Sequence, residues 1–469
     1  MRLFPIYTWT KGFRNFHHRR RTFSNLPWSQ GAILLACVVV AMLLANLPFT
    51  KDLYHSILET QLSIFFKVPG GKDVMFPKGM TVESFINDIL MTVFFFTVGL
   101  EIRREMKNGE LSSLKKALMP VIAAFGGVAM PAAIFAVVNH GTPAASGWGI
   151  PTATDIAFAV GILSILGDKV PVSLKVFLTA LAIADDLIAI LVVALFYGGS
   201  LNFGLLGIAF LLIILILIMN HLGEKREWYY LVPAMVIWAL FYYSGIHSTM
   251  SGVVMAFLVP MAPRYSRAYF NRKRRLYVNR INHYNNVVSS VSEFPNGPQR
   301  HCLRRLSVIS KGTIPMSYSL EHALGPWVNF LIMPLFALAN AGVEIPDLSY
   351  FNVFRIDPAL GGVSMGIFLG LLIGKPLGIS LASFIAVKLK AGEMPHRATW
   401  PMLIAVACLG GIGFTMSIFI DTLSFGEQAP EITAKLRDMG KVAVLIGSLC
   451  AGILGCLLIS LIHKSERRV

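Results

Sequence analysis

Residues 180–190, ALAIADDLIAI, place two adjacent aspartates, Asp185 and Asp186, inside an apolar run. The run extends from about 172 to 197, long enough to cross a bilayer as a helix, which needs about 20 apolar residues. On insertion scales each aspartate at a helix centre costs about 2.5–3.5 kcal/mol, so the pair costs roughly 5–7 kcal/mol. Fifteen Leu, Ile, Phe and Val residues between 172 and 196 return about 0.3–0.6 kcal/mol each. The helix therefore inserts with little to spare, and its carboxylates must face protein or water rather than lipid. Intramembrane ionisable groups mark ion or proton pathways by default; the plainer alternative is a polar clamp between helices. Neighbouring side chains on a helix point about 100° apart, so the two carboxylates cannot serve one identical partner.

Composition sets the solvent. The chain has 469 residues, 55% hydrophobic and 14% charged, with a mean hydropathy of +0.65, against about 25% charged residues in soluble domains. We read an all-α polytopic membrane protein. Five cysteines, Cys37, Cys302, Cys408, Cys450 and Cys456, show no metal-like spacing, so neither disulfides nor redox chemistry is inferred. No cofactor is expected.

Twelve spans are expected, near 28–48, 84–101, 117–138, 150–167, 172–197, 202–221, 228–243, 246–262, 326–342, 360–387, 400–420 and 442–463. The expected organisation is a basic N-terminal tail at 1–27, one membrane domain at 28–463 with a basic insertion loop at 263–325, and a C-terminal tail at 464–469. With the N-terminus inside, 32 of the 41 Lys and Arg residues fall on that side and 8 on the other, with Lys375 left inside a span. Such a bias obeys the positive-inside rule, with both termini cytoplasmic. It also accounts for much of the net charge of +16 without nucleic acid. The first apolar run is too long for a signal peptide and lacks a small-x-small cleavage site, so it is read as an uncleaved span.

Two more charges lie at membrane depth. GIPTATDIAFAVGIL, 149–163, puts Asp155 after Pro151, Thr152 and Thr154 in span four, a pattern for an interrupted helix with Thr154 able to offer oxygen. LLIGKPLGISLA, 371–382, puts Lys375 in the middle of span ten beside Pro376, flanked by apolar residues for more than a turn, which favours an internal ion pair over snorkelling. CLGGIGFTMSIFI, 408–420, offers a second break at Gly410, Gly411 and Gly413 in span eleven. Irregular backbone survives at membrane depth only where protein or a cavity covers it. Spans four and eleven hold corresponding places in two three-span blocks, the pointer to an inverted-repeat transporter with a midplane site.

The order of motifs carries a resemblance. INDILMTVFFFTVGLEIRRE at 86–105, PTATDIAFAVGIL at 151–163, LTALAIADDLIAI at 178–190, SGIHSTMSGVV at 244–254, LEHALGPWVNFLIMPLFALANAGV at 320–343, GKPLGI at 374–379 and GIGFTMSIFI at 411–420 together resemble the NhaA family of sodium/proton antiporters over nearly the whole chain. The resemblance implies an inverted-repeat antiporter fold in which two interrupted helices, spans four and eleven, cross near the membrane middle. It implies a secondary transporter, not an enzyme, that exports Na⁺ or Li⁺ in exchange for protons, pH-regulated and electrogenic at two protons per Na⁺.

The implied roles follow position by position. Asp186 is the principal cation- and proton-binding carboxylate, with Asp185 its neighbour, and these two contact the transported metal ion. Lys375 pairs with the first aspartate, and Asp155 with Thr154 offsets positive helix ends at the crossing. Glu101, Arg104, Glu105, Glu321, His322 and His247 match positions linked to pH activation in a cytoplasmic funnel. Gly325 stands where some members have histidine, and the 264–320 insertion is longer than in compact members. The resemblance further implies a bacterial inner membrane location, a homodimer with an extramembrane strand pair near 61–78, and anionic lipid contacts at Lys225 and Arg226. The rival readings are a sodium-coupled solute symporter, an intramembrane aspartyl protease and a channel. The protease fails because its two aspartates come from different helices and its GxGD element is absent here.

Overall fold

The computed structural model describes residues 29–62, 64–66, 74–76, 79–109, 111–199, 201–287, 297–345, 348–357, 360–396, 398–425 and 429–466. The expected N-terminal tail at 1–27 and residues 467–469 of the expected C-terminal tail at 464–469 lie outside them. Helix α1 is Ser29–Asn46 and α2 is Lys51–Glu59. Strands β1 (Ile64–Phe66) and β2 (Val74–Phe76) pair antiparallel, in the region where a strand pair is expected. A π-turn at Phe85–Leu90 leads into α3 (Met91–Asn108), followed by α4 (Leu114–Val138). A 3₁₀ segment, Pro143–Thr152, precedes α5 (Ile156–Leu166), and α6 is Val172–Phe196. Next come α7 (Phe203–His221), α8 (Trp228–Ser244) and α9 (Met250–Leu258), then α10 (Arg267–Val287) and α11 (Gly297–Thr313). Helix α12 (Met316–Trp327) passes through a π-turn, Val328–Ile332, into α13 (Met333–Asn340). Helix α14 (Val363–Leu369) passes through another, Gly370–Gly374, into α15 (Lys375–Lys388). The chain ends with α16 (Trp400–Gly410), α17 (Phe414–Ser424) and α18 (Pro430–Glu466).

Among the described residues, nine helical segments are long and apolar enough to cross a membrane, and the bent pair α16–α17 makes a tenth. The protein is a multi-pass membrane protein. On α7, Phe210, Leu211, Leu215, Leu217 and Ile218 are exposed; lipid solvates such a stripe, whereas water would not. The expected eighth span is shorter than read, while the seventh, read at 228–243, is helical over that whole range. Helix α8 has 17 residues and ends at Gly245, whose φ of +89° belongs to glycine. The turn that follows delays α9, which has nine residues and stops where Pro260 forces the preceding Val259 into an extended conformation. The basic insertion is a helical pair: α10 packs on α11, and Tyr265 N–H bonds the Gly312 carbonyl at 2.9 Å.

The chain forms two compact units. One comprises the described parts of Met1–Asn87, Asn108–Tyr197 and Asn329–Val469, and the other those of Asp88–Lys107 and Gly198–Val328. In the second, Leu100, Ile216, Tyr230, Ile237, Phe241 and Met255 form a continuous core.

In the first unit α4 lies against α15 with almost no space between backbones. A side chain on Gly126 would run into the Gly378 carbonyl, and one on Gly378 into that of Gly126. Membrane helices use small residues to approach in this way, since lipid gives them no hydrophobic reason to associate. The same crossing runs the Lys375 stem past Gly127. The π-turn before Lys375 has a local cause. Pro376 lacks an N–H and its ring crowds the carbonyl four residues back; the widened turn, in which Lys375 N–H reaches Gly370 five residues back, makes room for it.

Candidate functional site

The site begins at the two breaks. After Thr152 the backbone is extended through Ala153 and Asp155, so Asp155 stands at the N-cap of α5. Its Oδ1 accepts from Phe158 N–H at 3.3 Å. Its backbone N–H donates to the Ile412 carbonyl in the other break at 2.7 Å. Its Oδ2 accepts from Thr415 N–H at 3.2 Å and from the Thr415 hydroxyl. One carboxylate thus faces the first turns of two half-helices, α5 and α17, each carrying about half a positive charge at its N-terminus. The remaining orphan groups also find partners. Gly413 and Phe414 N–H donate to Ser448 Oγ at 3.2 and 3.1 Å, and Thr154 Oγ1 donates to the Gly410 carbonyl at 2.8 Å. Helices α16 and α17 meet at a bend of 47°.

Lys375 joins the break to the acid doublet. Its ammonium donates to Thr154 Oγ1 at 2.6 Å and to Asp185 Oδ2 at 2.5 Å, and Asp186 lies within electrostatic range of it. Relative exposures are 0% for Lys375 and Thr154, 1% for Asp185, 2% for Asp155 and 4% for Asp186, so bulk water screens none of these charges. Buried charge persists only when paired and hydrogen-bonded. Asp185 Oδ1 has no hydrogen-bond partner among the described residues. The five residues singled out in the sequence are brought together, from three stretches of chain up to 221 residues apart.

In the second unit Arg104 holds a cluster. Its guanidinium lies 3.2 Å from Glu105, 3.3 Å from Glu321 and 3.7 Å from Glu101. His322, next to Glu321, packs edge-on to Tyr318. His247 does not join them. Its Nδ1 is 2.8 Å from Thr249 Oγ1, and the neighbouring Ser248 donates to Asp88 Oδ1. Asp88 precedes Arg104 by 16 residues, roughly 24 Å along a helix, so the His247–Ser248 turn lies near the N-terminal end of α3 and the Arg104 cluster near its C-terminal end. Lys225 donates to the Pro263 carbonyl at 2.7 Å, and Arg226 is exposed.

Two acids escaped the sequence reading. Asp88, inside the quoted motif at 86–105, sits in the π-turn and accepts from Ser248 at 2.8 Å; the rule applied to Asp155 would have found it. Asp421, wholly buried in α17, lies one residue beyond the expected end of span eleven at 420.

The fold is that of a multi-pass membrane protein with charged residues buried at two helix breaks. The sequence profile of the family described as Na+/H+ antiporter 1 matches residues 21–459, and the chain belongs to that family, whose members are secondary transporters rather than enzymes. It is 40% identical over 450 residues to the Na(+)/H(+) antiporter NhaA of Oleidesulfovibrio alaskensis, covering 95% of this chain and 94% of that one. It is 39% identical over 439 residues to an Escherichia coli Na(+)/H(+) antiporter NhaA, covering 93% and 96%. Among solved structures, the sodium proton antiporter MjNhaP1 from Methanocaldococcus jannaschii aligns over 92% of this chain and 98% of that one, at 12% identity and a TM-score of 0.46. The family read from the motifs is borne out.

Proposed function

We propose that this protein exports Na⁺, and Li⁺, from a bacterial cell in exchange for protons, with Asp186 and Asp185 as the carboxylates at which cation and proton compete. The observation that carries this reading is the buried Lys375–Asp185 ion pair beside Asp186 and Thr154. Asp155 faces two helix N-termini whose partial charges sum to about +1, and Lys375 balances Asp185. The three carboxylates together then carry one negative charge more than Lys375 and the helix ends supply, and the site calls for one more cation. A proton or Na⁺ can supply it, and each excludes the other because a dry site tolerates little excess charge of either sign. Carboxylate and hydroxyl oxygens are the hard donors an alkali cation prefers. A second proton enters if Asp185 is protonated as it parts from Lys375; two protons per Na⁺ then move one net charge per cycle, and membrane potential drives export.

The expected setting is the inner membrane with both termini cytoplasmic, as a homodimer, with anionic lipid headgroups at Arg226 and Lys225. The decisive assay is cation-induced proton flux in everted vesicles from cells lacking their own antiporters. Addition of Na⁺ or Li⁺ collapses a preformed pH gradient, and added K⁺ or an organic solute is not required. A vesicle with the protein in its membrane and no response to either ion at any pH sinks the proposal.

The Arg104 cluster is the candidate pH sensor. Its side chains are between 14% and 39% exposed, and pairs so open contribute about 0–1 kcal/mol. Arg104→Gln should therefore leave the thermal midpoint almost unchanged, yet shift the pH of half-maximal exchange, because three carboxylates lose their common cation. Removing a positive neighbour favours the protonated acids, so the shift is expected upward, by about one unit. An unmoved profile would leave the cluster structural.

A further inference from the structure

Asp421 is a buried acid that the exchange scheme above leaves unused. It sits six residues past Thr415, the residue that bonds Asp155, or about 9 Å along α17. It packs against Gly440 of α18, where any side chain would collide with Oδ1. Among the described residues neither of its oxygens has a hydrogen-bond partner, and no ion pair includes it. The charged and titratable groups that act on it are Lys441, Arg437 and Asp438 from α18 and Tyr197 at the end of α6. Arg437 Nε is likewise buried without a partner among the described residues. Met439, the residue before Gly440, lines a cavity of about 150 Å³ with Tyr350, Arg355, Asp357, Ser364 and Lys435.

Desolvation is far costlier for a carboxylate with no hydrogen bond than for the neutral acid, so a group placed as Asp421 is holds its proton. Two cations nevertheless stand within electrostatic range without bonding it, and α17 is a short half-helix set off by the 47° bend at Gly411–Gly413. We propose that Asp421 is a second proton-binding site of the exchanger, alternating between a neutral acid against Gly440 and a carboxylate turned to Arg437 and Lys441. In the release step the acid's O–H bond breaks, the proton passes to water, and the two cations take up the carboxylate charge. Reprotonation from water reverses it. This rests on the reading of the protein as a Na⁺/H⁺ exchanger.

Infrared spectra of the reconstituted full chain test it, recorded from about pH 5 to about pH 9, where carboxyls displaced by burial titrate. The wild type should show a carboxylic-acid carbonyl band that fades as pH rises and is missing from Asp421→Asn. In Arg437→Gln the same band should persist to a pH higher by about one unit, since a stabilising cation is gone. Asp421→Asn should also shift the pH profile of Na⁺-driven exchange, which a purely structural acid would not do. Identical spectra for wild type and Asp421→Asn would overturn the proposal, because Asp421 would then be ionised throughout and serve only as an ion-pair anchor. Should Asp421→Asn fail to reach the membrane, Arg437→Gln decides alone, and an unmoved band overturns it. Wild-type exchange without the band sinks this inference by itself, whereas no wild-type exchange sinks the exchanger reading beneath it.

Discussion

Asp186→Asn abolishes Na⁺-driven proton exchange while the protein still reaches the membrane and folds. Asparagine keeps the shape of aspartate and loses the charge for which proton and cation compete. Two unit charges about 4 Å apart attract by about 4 kcal/mol at the effective dielectric of a protein. Losing that attraction lowers cation affinity by roughly several hundredfold, at tenfold per 1.4 kcal/mol. Exchange should therefore fall to the level of empty vesicles at any practical Na⁺ concentration. Folding should survive, since the change removes a charge from a residue that is 4% exposed and leaves the Lys375–Asp185 pair in place. The check is pH-gradient collapse beside a thermal melt of the purified variant. Half of wild-type exchange remaining, with Asp185 intact, would move the cation site away from Asp186.

Much of this site was legible because polar residues in an apolar run are conspicuous. Asp155, Lys375 and the Asp185–Asp186 doublet each interrupt a hydrophobic stretch, and Pro151 and Gly411–Gly413 advertise the breaks. Their mutual contacts were not legible in that way. Nothing in periodicity links Lys375 to Asp185, 190 positions away; that pairing came from the resemblance, and the Gly126–Gly378 contact that enables it is a property of two helices together. The three π-turns were missed because a helix widened by one residue keeps its apolar composition. The α10–α11 pair was missed for the opposite reason, since a basic, polar segment carries no membrane signal. Asp421 escaped through a boundary error of one residue. Hydropathy windows locate the middle of a span well and its ends poorly, and an acid in the last turn is itself what makes the window stop.

Lys375→Ala lowers stability strongly, by the asymmetry of buried ion pairs. Replacing both partners with apolar groups can be nearly neutral, but removing one leaves a buried charge without compensation, at about 3–5 kcal/mol. Asp185 is poorly placed to absorb that loss, since its Oδ1 already lacks a hydrogen-bond partner among the described residues and Thr154 spends its own proton on the Gly410 carbonyl. For a chain of this size the thermal midpoint should drop by roughly 5–10 °C, scaling from about 2 °C per kcal/mol. Lys375→Met separates charge from volume, because it refills most of the stem beside Gly127 and should still lose most of the stability. The deficit should grow as pH rises, because an unpaired buried carboxylate survives best in its neutral form. Adding Asp185→Asn to Lys375→Ala should recover most of the loss, so the double variant is more stable than the sum of the singles predicts, with a coupling of about 2–3 kcal/mol, near the top of the range for residues in contact. Strict additivity, or a deficit that does not vary with pH, would mean that the two groups are not charged together in the folded protein. The exchange scheme would then lose the pair from which its second proton is drawn.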